Sequence, residues 1–368
     1  MLNQSTVYNR QGWIDSIRGI LMILVYLYHS DVFYGKGHIY SWIYEPIFLS
    51  GFFFVSGFLF ISNWKKNNLN NKIKQVIRGI LIPYILFMLA FLLPKIILLN
   101  YNWKETLSDI LLLRASWFVI SIGGLQLLYS VSIKYAKTVS NFIMISFIYA
   151  IIGYLCVLLY RNLPEWYINQ PFLYSNAMPG CMPACINLTF LASPFFSLGI
   201  LYRHYENKFS LGPNLKVGIL LGGAYFILIV IDHLYLSSSL SFASCVSNNP
   251  ILIILYFCLS MSSLIMICKA LSCNSFLEYI GSNTLIFYYL NILCLRISGM
   301  LYNKCFELLN LQNARIPFEY INNIMVTLLA IIITFPMVYG INKYLPILTG
   351  RKDFYNKISK KLHLNISW

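Results

Sequence analysis

The 368-residue chain is 58% hydrophobic and 17% aromatic but only 11% charged, with a mean hydropathy of +0.67. Soluble domains run at roughly 45–50% apolar and ~25% charged, so this composition excludes a cytosolic enzyme, a disordered chain and a small disulfide scaffold. The net charge of +15, from 27 Lys and Arg against 12 Asp and Glu, reads as membrane topology rather than nucleic-acid binding, because cytoplasmic loops collect Lys and Arg.

A helical span takes about 20 mostly apolar residues. Taken in chain order, the sequence predicts ten, near 13–34, 41–62, 77–99, 117–134, 141–160, 184–202, 216–236, 250–269, 277–299 and 321–342. The segment 100–117 has room for a short interfacial helix before the fourth span. The longest connection, 161–183, carries Trp166, Tyr167 and Tyr174, and reads either as a lid or as an ordinary loop. With the N-terminus placed inside, Lys65, Lys66, Lys72, Lys74, Arg78, Lys134, Lys137 and the C-terminal Lys and Arg share the cytoplasmic side, and the other side is sparse. The expected fold is an all-α integral membrane bundle of about ten transmembrane helices, one domain over 1–368, with both termini cytoplasmic.

Nine Cys are scattered through the chain, with no zinc spacing beside His partners, so no metal is expected. Cys181 and Cys185 share one polar loop. They are either two free thiols or a bridge, the latter if that loop faces an oxidising compartment.

The first span carries Asp15, Arg18 and His29. Ionisable groups inside a membrane helix are costly and are paired or functional. Asp15 and Arg18 are three apart, so they are neighbours on one face and can pair. Arg18 and His29 are eleven apart, which is three turns plus ~20°, so they share one stripe at depths roughly 16 Å apart. Met22, Val25 and Tyr26 lie between them on that face. An imidazole, with an ordinary pKa near ~6.5, can act as a base at neutral pH, and a guanidinium can grip phosphate. The layout suits chemistry joining a cytoplasmic donor to an acceptor in or beyond the membrane. The competing reading is a structural ion pair plus a His that bonds a neighbouring helix.

The opening Ile14-Asp15-Ser16-Ile17-Arg18-Gly19-Ile20, with Tyr28-His29 downstream, resembles the acyltransferase-3 family of membrane acyltransferases, whose motif is an Arg, ten residues, then a His. Five further landmarks follow in order. These are the aromatic run Phe52 to Phe58 with Ser56-Gly57, the basic stretch from Lys72 to Pro83, Ser116-Trp117-Phe118-Val119, Phe195 to Leu201, and Tyr279 to Leu290. Asn291 stands where the family usually has His, Lys74 and Arg78 replace two Arg three apart, and Glu45 precedes the aromatic run.

The resemblance implies a ten-span bundle that moves an acetyl group from cytoplasmic acetyl-CoA to a hydroxyl of a cell-surface or lipid-linked glycan. The expected setting is the bilayer of a bacterial plasma membrane. On that reading His29 is the base, with Arg18 and Asp15 beside it in the catalytic stripe. Arg18, Lys74 and Arg78 hold the phosphates of CoA, and Tyr28, Trp117 and Tyr26 line the path. The competing class is a transporter or flippase for a lipid-linked sugar, which has no need of the Arg18/His29 spacing.

Overall fold

The computed structural model describes residues 11–34, 41–60, 69–99, 102–164, 180–206, 208, 212–242, 244–271, 274–308, 319–350 and 354. The helices are α1 (Gly12–Tyr34), α2 (Ser41–Phe60), α3 (Leu69–Val76), α4 (Ile82–Leu99), α5 (Trp103–Leu111), α6 (Trp117–Tyr135), α7 (Val139–Arg161), α8 (Ile186–Tyr205), α9 (Leu215–Tyr235), α10 (Pro250–Ala270), α11 (Ser275–Ser282), α12 (Thr284–Leu308) and α13 (Glu319–Tyr344). Among the described residues nine helices are long and apolar enough to cross a membrane. The 23-residue α1, interrupted by its charged stripe, is not among these nine, one fewer than the ten spans expected. The chain is a multi-pass membrane protein, because in hydrocarbon only helices or closed barrels satisfy every backbone polar group.

The helix α1 is the hub, packed against α2, α10, α11, α12 and α13. Its face toward them is closed, with Ile17, Leu21 and Tyr26 fully buried. The outer helices α7 and α9 instead leave Phe147, Leu159, Leu220 and Ile227 exposed, the apolar surface a bilayer would cover. The close approach of α2 and α8 rests on two reciprocal glycines. A Cβ on Gly57 would stand against the Phe196 carbonyl, and one on Gly199 against the Phe54 carbonyl.

Several helices carry an internal proline, among them Pro46 in α2, Pro194 in α8 and Pro336 in α13. A proline frees a carbonyl one turn back, and hydroxyls nearby commonly repair the ladder in membranes. Ser50 and Ser197 instead donate to the prolines' own carbonyls, Ser50 to Pro46 and Ser197 to Pro194 at 2.9 Å, whereas the carbonyls the prolines free are those of Trp42 and Phe190.

Two expectations change, one is met and one element is new. The third span starts at Leu69 rather than near 77, because α3 runs into α4 through a π-helical turn, Ile77–Leu81. The short helix expected within 100–117 is α5, whose Asn102 caps the Lys104 N–H at 3.0 Å. The ninth span is not continuous over 277–299: it breaks at Asn283, leaving α11 short and α12 as the membrane helix. Gly281 is pressed so closely on the Asp15 carbonyl that a Cβ would overlap it. Asn283 then turns the chain, donating from Nδ2 to the Tyr279 carbonyl at 2.9 Å and accepting at Oδ1 from Asn342 at 2.8 Å. Finally, the connection after α9 forms a two-stranded antiparallel hairpin, β1 (Ser239–Ser241) and β2 (Val246–Asn248). Its Phe242 is buried against Phe53, Trp117 and Phe195. Trp166, Tyr167 and Tyr174 lie outside the described residues, as do residues 1–10 and 355–368 at the two termini.

A buried ion pair locks the turn between α5 and α6. Arg114 is 1% exposed, and one of its terminal nitrogens lies 3.0 Å from Asp109 Oδ1. Removing one partner strands the other charge in a low dielectric, at a cost of about 3–5 kcal/mol. Arg114→Ala therefore lowers the thermal unfolding temperature of the detergent-solubilised protein strongly. Asp109→Leu combined with Arg114→Met recovers most of that loss, and a double variant no more stable than Arg114→Ala overturns the ion-pair account.

Candidate active site

The charged stripe of α1 opens into two chambers. Arg18 and Met22 line the first, a cavity of about 400 Å³. Val25, Tyr28 and His29 line the second, of about 320 Å³. The helical rise between Arg18 and His29 thus puts each in its own compartment. Phe118 and Tyr288 line both chambers and form the wall between them. Their rings lie 5.4 Å apart, and Ser116 donates to the Tyr288 hydroxyl at 3.4 Å.

The Arg18 chamber is lined about equally by polar and apolar groups. Arg18 donates to Asp15 Oδ1 at 3.3 Å and to Thr284 Oγ1 at 2.5 Å, at the start of α12. Its side chain is 27% exposed against 9% for Asp15: the carboxylate is the buried brace and the guanidinium reaches the cavity. Lys72 lines the opposite wall, its Nζ donating to the Phe60 carbonyl at 2.5 Å and sitting 4.4 Å over the Phe60 ring. Gln75 and Gln126 complete a cation-and-amide lining suited to anionic oxygens. Gly79 and Ile80 of the π-helical turn and Thr349 also border it; π-turns often occur at functional sites.

Lys74 and Arg78 stand on the same helical stretch as Lys72 but are not among the residues lining the cavity. Arg78 donates from Nε to the Gly350 carbonyl at 3.1 Å, anchoring the C-terminal turn Pro346–Thr349. The sequence reading missed Lys72 because three cations in seven residues look alike until the helix face is known.

The His29 chamber is mostly apolar and aromatic. Tyr28 stacks on Phe48 at 5.1 Å, and Trp117 stacks on Phe242 of the hairpin at 6.3 Å. Its polar lining includes His29, Glu45, Asn291 and Arg296. Asn291 therefore sits in the site, but an amide cannot exchange protons as an imidazole does, so His29 is the one imidazole among the described residues lining this chamber. Arg296 lies twelve residues along α12 from Thr284, a rise of about 18 Å. Because Thr284 is level with Arg18, that places Arg296 near the depth of His29.

Two residues near the stripe differ from expectation. Tyr26 does not line the path: its hydroxyl is turned into α12 and α13, 3.1 Å from the Phe287 carbonyl and 3.0 Å from Thr334 Oγ1. It lies about 80° around the helix from Arg18, on the packed flank. Asp31, a fourth ionisable residue of α1, accepts from Tyr44 at 2.9 Å and from Asn323 Nδ2 at 2.7 Å. This clasp ties α1 to α2 and α13 two residues beyond His29. Its sequence signal was a carboxylate in the same apolar helix. Asp232 and His233 are occupied elsewhere. Asp232 accepts from Ser238 and Tyr256, and His233 stacks on Trp42 at 4.3 Å.

Comparison with curated proteins and with solved structures gave no match. The family model described as an acyltransferase domain matches residues 11–343. That stretch begins just before the charged stripe and ends with the last membrane helix, and it contains the lining of both chambers apart from Thr349. With so much of the chain matched, the protein belongs to the acyltransferase-3 family and is a membrane acyltransferase.

Proposed function

We propose that this acyltransferase moves an acetyl group from cytoplasmic acetyl-CoA to a hydroxyl of a cell-surface or lipid-linked glycan. The observation that carries this reading is the pair of chambers on one stripe of α1. One is lined by Arg18 and Lys72, the other by His29 and aromatic rings, and they share the Phe118–Tyr288 wall. The first suits the polyphosphate end of the donor, with Lys74 and Arg78 adding positive charge on the same helical stretch as Lys72. The second suits a sugar, whose apolar face packs on Tyr28 and Trp117.

In this mechanism the thioester arm passes the Phe118–Tyr288 wall. The His29 imidazole takes the proton of the acceptor hydroxyl as its oxygen attacks the thioester carbonyl. The tetrahedral intermediate collapses, the C–S bond breaks, and the leaving CoA sulfur recovers the proton from the imidazolium. Glu45, in the same chamber, is the carboxylate suited to steady the transient imidazolium. Asp15 acts one step back, by holding Arg18 in place. The protein would sit as a multi-pass protein in a bacterial plasma membrane, with both termini cytoplasmic and the His29 end outward.

The test is a mass spectrum of the surface glycan from intact, deleted and His29→Ala-complemented cells. The acetyl increment is expected in the first alone. A glycan fully acetylated in all three, but reduced in amount on deletion, overturns the transferase assignment in favour of transport. Donor recognition has its own readout. Lys72→Gln is expected to raise KM for acetyl-CoA about tenfold with kcat little changed, the loss of one charge-assisted bond. An unaltered KM removes Lys72 from the donor site.

A further inference from the structure

The turn entering α8 holds two cysteine sulfurs in contact. Cys181 Sγ lies 3.2 Å from Cys185 Sγ, and both residues are buried. The turn is pinned at both ends by the side chain of one buried residue. Asn187 accepts from the Met182 N–H at 3.0 Å and donates to the Gly180 carbonyl at 2.7 Å. Between Met182 and Asn187, Ala184 and Cys185 both adopt left-handed backbone angles, with φ of 54° and 52°. Non-glycine residues pay for that conformation, and it persists where the surroundings over-determine it for a purpose.

The same turn grips the segment leading into the His29 chamber. The Ala184 N–H donates to the Leu112 carbonyl at 2.8 Å, and the Cys185 thiol faces the Leu113 carbonyl at 3.1 Å. Leu113 is itself left-handed, at φ 58°. Three residues on, Ser116 supports Tyr288 and Trp117 lines the chamber. The cysteine pair thus lies at the His29 end of the bundle, away from Arg18 and Lys72.

We propose that Cys181 and Cys185 form a disulfide in the cell, a latch behind the turn that carries Ser116 and Trp117. The inference rests on the orientation proposed above, which turns the His29 end toward the oxidising side of the membrane. The co-reactant is a disulfide-bearing oxidant of that compartment. One cysteine thiolate attacks it to give a mixed disulfide. The second attacks that intermediate, leaving one new S–S bond, two thiols on the spent oxidant and no sulfur–hydrogen bond on the pair. The bridge forms while the loop is still emerging, before burial closes the sulfurs off. It removes the Cys185 thiol from the Leu113 carbonyl but leaves the Ala184–Leu112 hydrogen bond in place.

The experiment uses the full-length protein in intact cells. Free thiols are blocked with N-ethylmaleimide during denaturing lysis, and the protein is digested with trypsin without reduction. The peptide from Asn162 to Arg203 contains these two cysteines and no others. It is expected two hydrogens lighter than the dithiol and free of adducts, and to take two adducts only after dithiothreitol. Cys181→Ser and Cys185→Ser should each leave one alkylated thiol. Two adducts on the unreduced wild-type peptide, or either sulfur bridged to another cysteine, overturns the proposal. Acyl transfer is not the readout, so a failure here is separable from a failure of the transferase assignment.

Discussion

His29→Ala is expected to reduce acyl transfer by about 10²–10⁴-fold, the range for loss of a positioned general base. The substitution leaves the bundle assembled. This end of α1 is also held through Ser30 to the Asn323 carbonyl at 3.1 Å and through Asp31 to Tyr44 and Asn323. Thermal unfolding in detergent should therefore move little while activity collapses. Because His29 and Arg18 occupy different chambers, their variants should fail differently. His29→Ala lowers kcat with KM for acetyl-CoA nearly unchanged. Arg18→Gln raises that KM, since the guanidinium reaches the chamber proposed above for the donor, braced by Asp15. Equal losses in kcat alone for both variants would contradict a two-chamber division of labour. A His29→Ala protein that retains transfer would remove the base assignment.

Gly57→Val and Gly199→Val should each prevent normal packing of α2 on α8. A Cβ at either position falls on a backbone carbonyl of the opposite helix. A carbonyl cannot rotate aside as a side chain can, so the helices must separate. Overpacking a well-filled core costs typically 1–3 kcal/mol, and displacing a whole helix face lies at or above the top of that range. Close helix approach through small residues is the main packing device available inside a bilayer, where apolar burial alone gives helices no reason to prefer each other. The expected result is a sharp fall in folded yield and thermal stability for both valine variants. Gly79→Ala, where a Cβ would meet nothing within 4 Å, serves as the tolerated control. Near-native stability of both valine variants would contradict the interlock.

The membrane class, the helical spans and the Asp15–Arg18 pairing were legible from the residues. Each follows from a local rule: a bilayer demands about 20 apolar residues per helix, and residues three apart share a face. The family followed from the order of its landmarks. The face each residue presents was less legible. Membrane helices are apolar on both their packed and their lipid sides, so periodicity does not distinguish core from surface as it does in soluble helices. Tyr26 and Tyr28, two residues apart, read alike, yet one is spent on Thr334 and the other lines the His29 chamber.

The sequence by itself determined a basic, multi-span acyltransferase-3 protein with an Arg and a His on one stripe of its first helix. Tertiary structure alone decided that this stripe feeds two chambers, that Phe118 and Tyr288 divide them, and that Lys72 faces the first. It also decided that the ninth span breaks at Asn283, because the Gly281–Asp15 approach and the Asn342 hydrogen bond join segments far apart in the chain. Such contacts depend on which helices become neighbours, and the sequence of one span carries no record of that choice.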